Sequence, residues 1–213
     1  GNTFVGYQAG ETHNYDGAAY VTMVGYQAGD DQTTSAYNTG FGAFNQAASD
    51  TENHNTSIGY YAMNGANGGG EYNTALGSYV LSNASQSGDY NVGVGWRALY
   101  AATSGARNVT MGYQAGDGIT TGDGNVLIGY DSTQGNVTTH SGNVSIGDQN
   151  SHNGGNYEIT IGYQIAGLGG NSVTIGSPSG KVYNVFSLNN TWTQTSDERL
   201  KTNIQDDTLG LSF

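Results

Sequence analysis

Asn143-Val144-Ser145-Ile146-Gly147 is the plainest copy of a pentad that recurs along the chain. Its closing glycine falls at Gly6, Gly25, Gly42, Gly59, Gly77, Gly95, Gly112, Gly129, Gly147, Gly162 and Gly176, eleven copies with a period of about 14 to 19 residues. The residue before the glycine is always apolar, from Val5 and Val24 to Ile161 and Ile175. Two residues earlier stands a β-branched side chain, Thr3 to Thr74 in the first five copies and Val or Ile from Val92 onward. Side chains alternate along a strand, so these two positions share a face. Each pentad is therefore predicted to be a short strand, with this face buried.

The first pentad position is Asn in most copies, among them Asn55, Asn73, Asn91, Asn108, Asn125 and Asn143. Stacked coils allow such residues to form a ladder of amides. Gly59, Gly77, Gly112, Gly129 and Gly147 suit a turn that needs positive φ or a close approach of the next coil. An aromatic follows the glycine at Tyr7, Tyr26, Tyr60, Trp96, Tyr113, Tyr130 and Tyr163. The sum is a parallel β-solenoid, each coil made of a strand, a turn, a second short segment and a connector of variable length.

Composition agrees with a thin fold. Glycine supplies 36 of 213 residues and hydrophobic residues only 35%, too little to fill a thick globular interior. A solenoid buries one narrow stripe per coil. At about 4.8 Å per strand the stack would be on the order of 50 Å long. A coil this small encloses little volume, so association with other chains is expected to complete the core. A net charge of −12 with five Lys and Arg disfavours nucleic acid and anionic membranes as partners. There is no cysteine and no apolar run long enough for a membrane span, so disulfides and membrane insertion are not expected.

Beyond Gly176 the texture changes. Pro178 closes the last coil, and 181–195 mixes Val182, Tyr183, Val185, Phe186 and Trp192 with polar residues, as a stalk of chains winding about one axis would. The expected division is a repeat domain over 1–177, a stalk over 178–195 and a further domain opening at 196–213. Alone, Ser196 reads as the N-cap of a short helix and Lys201 as a solvated charge.

Three resemblances extend this reading. Asn171-Ser172-Val173-Thr174-Ile175-Gly176 resembles the Asn-Ser-Val-Ala-Ile-Gly repeats of trimeric autotransporter adhesin heads, left-handed parallel β-rolls packed as trimers. The Asn-Thr-x-x-Gly-Tyr-Gln-Ala pattern, as at Asn2 to Ala9, is similar to phage tail-fibre repeats. Ser196-Asp197-Glu198-Arg199-Leu200-Lys201-Thr202-Asn203-Ile204 resembles the opening of the endosialidase-type intramolecular chaperone domain, which assists trimer assembly and then cuts itself off. That resemblance implies a cut between Thr195 and Ser196, with Ser196 as nucleophile and Lys201 as its partner. Only the opening of such a domain lies in this chain, and no other catalysis is expected.

Together these imply an all-β homotrimer of β-roll-like coils followed by an intertwined β stalk. The expected setting is an extracellular phage tail fibre, with host-surface glycan or protein and other virion tail proteins as partners. A bacterial trimeric adhesin head and an ice-binding solenoid are the rival classes, the latter suggested by the threonine column. The regular tyrosine column is expected to be architecture, and the tyrosines Tyr15, Tyr61 and Tyr100 are the candidates for recognition. Asp30, Asp31, Asp117 and Asp123 sit in glycine-rich turns without a calcium-loop spacing, the four histidines are dispersed in connectors, and no metal or cofactor is expected.

Overall fold

The computed structural model describes residues 1–13, 19–47, 51–65, 69–83, 85–132, 134–135, 138–186 and 193–195. Among these the protein is all-β, with no helix. The strands are β1 (Thr3–Val5), β2 (Thr22–Val24), β3 (Thr39–Phe41), β4 (Thr56–Ile58), β5 (Thr74–Leu76), β6 (Val92–Val94), β7 (Val109–Met111), β8 (Val126–Ile128), β9 (Gln134–Gly135), β10 (Val144–Ile146), β11 (Ser151–His152), β12 (Glu158–Gly162), β13 (Ser172–Ser177), β14 (Gly180–Val185) and β15 (Thr193–Thr195).

The pentads map onto eleven strands, β1 to β8 with β10, β12 and β13, stacked parallel in chain order as one sheet. Their register is uniform, with Thr3 opposite Thr22, Thr56 opposite Thr74 and Val144 opposite Ile159. This is a parallel β-solenoid. A second parallel ladder of β9 and β11 supports the late coils, extended by a bridge from Ser151 to Ala166. After β13 the direction reverses: β14 pairs antiparallel with β13, and β15 antiparallel with β14.

Hydrogen bonds from coil to coil continue beyond the strands. Gln27 N–H donates to the Tyr7 carbonyl, Gly29 N–H to that of Asn45 and Asp31 N–H to that of Ala47, each at 2.9 Å. The glycine column holds this spacing. Gly95 has φ of 125° and Gly112 of 139°, and a Cβ on Gly95 would overlap the carbonyl of Gly112. Only glycine meets both demands.

The strand faces are reversed from the expectation. The middle residue points into the coil, as Met23, Ser57, Ala75, Thr110, Leu127 and Ser145 do, all at most 1% exposed. The β-branched and pre-glycine columns point outward, leaving Val5 55%, Ile58 44% and Met111 48% exposed. Period two marks two faces but not which is inward. The middle residue stands alone on its face of each pentad, so the inward column takes one side chain per coil, from Gly40 to Met23, and the two flanking columns face outward.

That interior is segmented. One apolar cluster holds Met23, Val21 and Ala28 with Phe4 packed against it; another holds Met63, Val80, Leu81, Leu99, Ile119 and Leu127. Between them lies a polar layer, where Gln32 donates to Gln46 at 2.8 Å and Ser57 donates to Asn45 at 2.6 Å. Gln46 donates on to Ser57, so these buried groups are tolerated through partners within the layer, and only the Gln32 Oε1 among the four side chains has none.

The asparagine column is a ladder that runs mainly from backbone N–H to amide oxygen, with direct amide-to-amide bonds at two steps. Each Oδ1 accepts the backbone N–H of the first residue in the next pentad: Asn91 from Asn108 and Asn108 from Asn125 at 2.9 Å, Asn143 from Glu158 at 2.8 Å. The Nδ2 donates sideways to a connector carbonyl, Asn73 to Gly88 at 3.0 Å and Asn91 to Gly105 at 2.9 Å. Direct amide-to-amide bonds join Asn108 to Asn91 and Asn125 to Asn108. Glu158 can replace Asn because its backbone N–H serves as donor, while its buried carboxylate accepts from Gly169 and Asn153. Burial raises that carboxyl above its usual range. Burial also lowers His152, beside Thr160 and in the field of His140, to about 4.

Two outcomes are expected. Asn91→Leu leaves the Asn108 N–H and the Gly105 carbonyl without their partner, about 1 to 3 kcal/mol for each, so the unfolding free energy from denaturant titration should fall by about 2 to 6 kcal/mol. His152 is protonated more readily in the unfolded chain than in the folded one. Stability is therefore lost as pH falls from 6.5 toward 4, by up to about 3 kcal/mol. Glu158 works in the opposite sense, because its raised carboxyl takes up its proton more readily when folded. Urea unfolding from pH 7 to 4 should show the net loss, and His152→Gln should flatten it.

Candidate functional site

Two aromatic columns border the outward strand face. One occupies the residue before the asparagine position and runs Tyr20, Tyr37, His54, Tyr72, Tyr90, with neighbouring rings 4.7 to 5.6 Å apart and within 16° of parallel. These residues have φ between 51° and 61°, a left-handed conformation that turns the chain into the strand. His54 is thus a ring in a stack. The other column follows the glycine, where Tyr7 stacks on Tyr26 at 5.4 Å and Trp96 on Tyr113 at 4.7 Å, with Tyr113 continuing to Tyr130 at 5.0 Å.

Between Tyr7 and Tyr163 this second column is interrupted at Ala43, Ser78 and Asp148. At the first gap Phe44 bridges, its ring 5.2 Å from Tyr26 and 6.0 Å from Tyr60. At the second, Tyr79 meets Tyr60 edge-on at 5.5 Å and Tyr61 in a stack at 5.4 Å. The chain of ring contacts stops there and resumes at Trp96. Next to this break a cleft of about 270 Å³ is lined by Tyr79, Trp96, Arg97 and Tyr100.

Arg97 organises that cleft. Its guanidinium carbon lies 4.2 Å from the centre of the Tyr100 ring and 5.2 Å from that of Trp96. Among the described residues Arg97 makes no ion pair, and its Nε is buried without a hydrogen-bond partner. Arg107, by contrast, pairs with Asp123 at 3.2 Å. Asp117 feels the Arg97 charge, yet desolvation is the larger effect and raises its carboxyl. The wall thus combines aromatic faces with a cation that keeps donor capacity.

The three tyrosines named for recognition separate. Tyr100 lines the cleft. Tyr61 is instead one ring of the regular array, against Phe44 at 5.1 Å and Tyr79 at 5.4 Å, because it falls in the coil position that Phe44 and Tyr79 also hold. Tyr15 lies outside the described residues, as do Ser196 and Lys201. Sequence reasoning missed Tyr79 and Arg97, although Ser78 in an aromatic column and a rare cation beside Trp96 both marked the place.

Other candidates are occupied structurally. Glu52, a conceivable hydrolytic carboxylate, is fully buried and accepts from the N–H groups of Thr51 and Gly69. His13 is in hydrogen-bond contact with the Gln32 carbonyl at 3.0 Å, and the His152 ring is buried. Among the described residues no three His, Asp or Glu side chains cluster as metal ligands would.

Arg97→Ala should cost at most about 1 kcal/mol in thermal unfolding, since half-exposed cation–π contacts are worth roughly that, while changing the emission of Trp96. Compared with known proteins, the chain matches no family model, no curated protein and no solved structure.

Proposed function

We propose that the chain forms the shaft and receptor-presenting region of a homotrimeric extracellular fibre, of the kind carried on phage tails. The observation that supports this reading is the outward strand face. Val5, Phe41, Ile58, Leu76, Met111, Ile146 and Ile175 are exposed members of an apolar column whose other members, Val24, Val94, Ile128 and Ile161, are half-buried, beside the Thr and Val column. Water-exposed apolar surface of this extent marks an interface. Every chain carries the same face, and a closed cyclic assembly satisfies it in all copies at once. Three chains are the number implied by the resemblance to trimeric fibres and adhesin heads.

In such a trimer the stacked coils give stiffness and the three flanks carry equivalent contact sites. Weak sites held on one rigid body gain avidity through effective concentration. Residues 178–195 would then wind the chains together as a stalk, with β14 and β15 as the strands each chain brings to it. The Ser196 region would mark the junction to an assembly chaperone, and other tail proteins would meet the ends of the shaft. Host-surface glycan or protein is the target.

A second reading uses the same face. Thr3, Thr22, Thr39, Thr56 and Thr74 stand in register on a parallel sheet, the regular threonine array that an ice-binding surface would require. Thermal hysteresis of a monomeric sample would favour it.

Native mass spectrometry of the 22.1 kDa chain should show a species of roughly 66 kDa. Met111→Asp places a charge in the apolar column and should shift that species to monomer, with the β-sheet circular dichroism retained. A wild-type monomer would overturn the trimer.

A further inference from the structure

We propose that the cleft between Tyr79 and Trp96 binds a single carboxylate-bearing sugar ring, held by stacking and by the Arg97 guanidinium. This names a ligand class for the receptor-presenting reading and rests on that reading only for its setting, because all four lining residues belong to one chain.

The first argument is geometric. Along the intact stack each coil contributes one ring, at 4.7 Å from Trp96 to Tyr113 and 5.0 Å from Tyr113 to Tyr130. Ser78 omits its ring, and coils two steps apart are separated by about 10 Å. That leaves the thickness of one six-membered ring beside Trp96, once Tyr79 has leaned toward Tyr60. Phe44 closes the equivalent gap at Ala43. The volume of about 270 Å³ lies just below the range of about 300 Å³ upward for drug-sized ligands, so it suits one ring rather than a chain of them.

The second argument is chemical. Aromatic walls alone would accept either a cation or an apolar CH face. Arg97 already sets its positive charge over Trp96 and Tyr100, which disfavours a cationic ligand. Its planar fork matches a carboxylate, and among the described residues no carboxylate pairs with it. The rest of the chain is acidic, with a net charge of −12, so an anion finds its attraction at this spot and repulsion around it. A uronic-acid type pyranose offers both parts, a CH face for the rings and a carboxylate for the fork. A neutral pyranose offers only the first.

Saturation-transfer NMR on the full chain, with methyl glucuronide and methyl glucoside as probes at about 0.15 M salt, tests this. The glucuronide should bind about tenfold more tightly than the glucoside, the effect of one charge-assisted hydrogen-bonded contact. Arg97→Gln should bring the two probes level, and Ser78→Tyr, which restores the missing ring, should abolish transfer to both. Arg107→Gln should leave the preference unchanged. Equal transfer from both probes, no transfer from either at about 10 mM, or glucuronide binding that survives Ser78→Tyr would overturn the assignment. Native mass spectra of the same samples separate the outcomes: a monomer that still prefers the glucuronide keeps the site and removes the trimer, and a trimer without that preference does the reverse.

Discussion

The backbone hydrogen bond between adjacent coils is the constraint on which everything else in the molecule depends. It recurs at the strand, at the turn after the glycine and along the second segment, so every position of the coil sits at one fixed distance from its counterpart above and below. A column of identical residues then experiences identical surroundings. Glycine recurs where a carbonyl of the next coil comes too close for a Cβ, asparagine where an N–H needs an acceptor, and aromatic rings where the spacing lets them lie face to face. The same distance makes omissions conspicuous. A column that loses one member, as at Ser78, leaves a space its neighbours cannot close by moving along the axis.

Much of this was legible in the residues. The pentads gave every one of the eleven parallel strands, because a β-branched residue two places before an apolar one, followed by glycine, repeats too regularly for any other element. The direction of the faces was not legible. Thr56 and Ile58 look like core residues by type, and Ser57 between them does not, yet Ser57 is the buried one. Its hydroxyl is satisfied by Asn45, a partner 12 residues earlier in the connector and invisible to a strand-by-strand reading. The amide-to-amide ladder read for asparagine is present from Asn91 to Asn125, while the bond that recurs along the column, from a backbone N–H to the amide oxygen, carries no sequence signature.

The candidate site shows the same division. Tyr100 stands out from the chain alone because it breaks the repeat, and it does line the cleft. Tyr61 also looks irregular, but it shares a coil position with Phe44, Tyr79 and Arg97, a correspondence that becomes clear only when the connectors of unequal length are folded away. That position is left-handed in every one of these coils, a backbone state costly for residues other than glycine and sustained here by bonds to both neighbours. The cleft needs the absent ring, the leaning Tyr79 and the guanidinium together. Ser78-Tyr79 and Trp96-Arg97 are each neighbours in the chain and mark the place, but only the stacking of the coils brings the two pairs to one cleft.

The uniform register from β1 to β13 has an evolutionary corollary. Because each coil offers its successor the same hydrogen-bond pattern that it receives, a gene segment encoding one pentad and its connector can be duplicated or deleted without redesigning the junctions. Reach would change in steps of about 5 Å while the architecture stayed constant. The cleft beside Ser78, by contrast, spans neighbouring coils that differ from each other. Recombination within that pair would erase it, whereas recombination elsewhere would only move it along the rod.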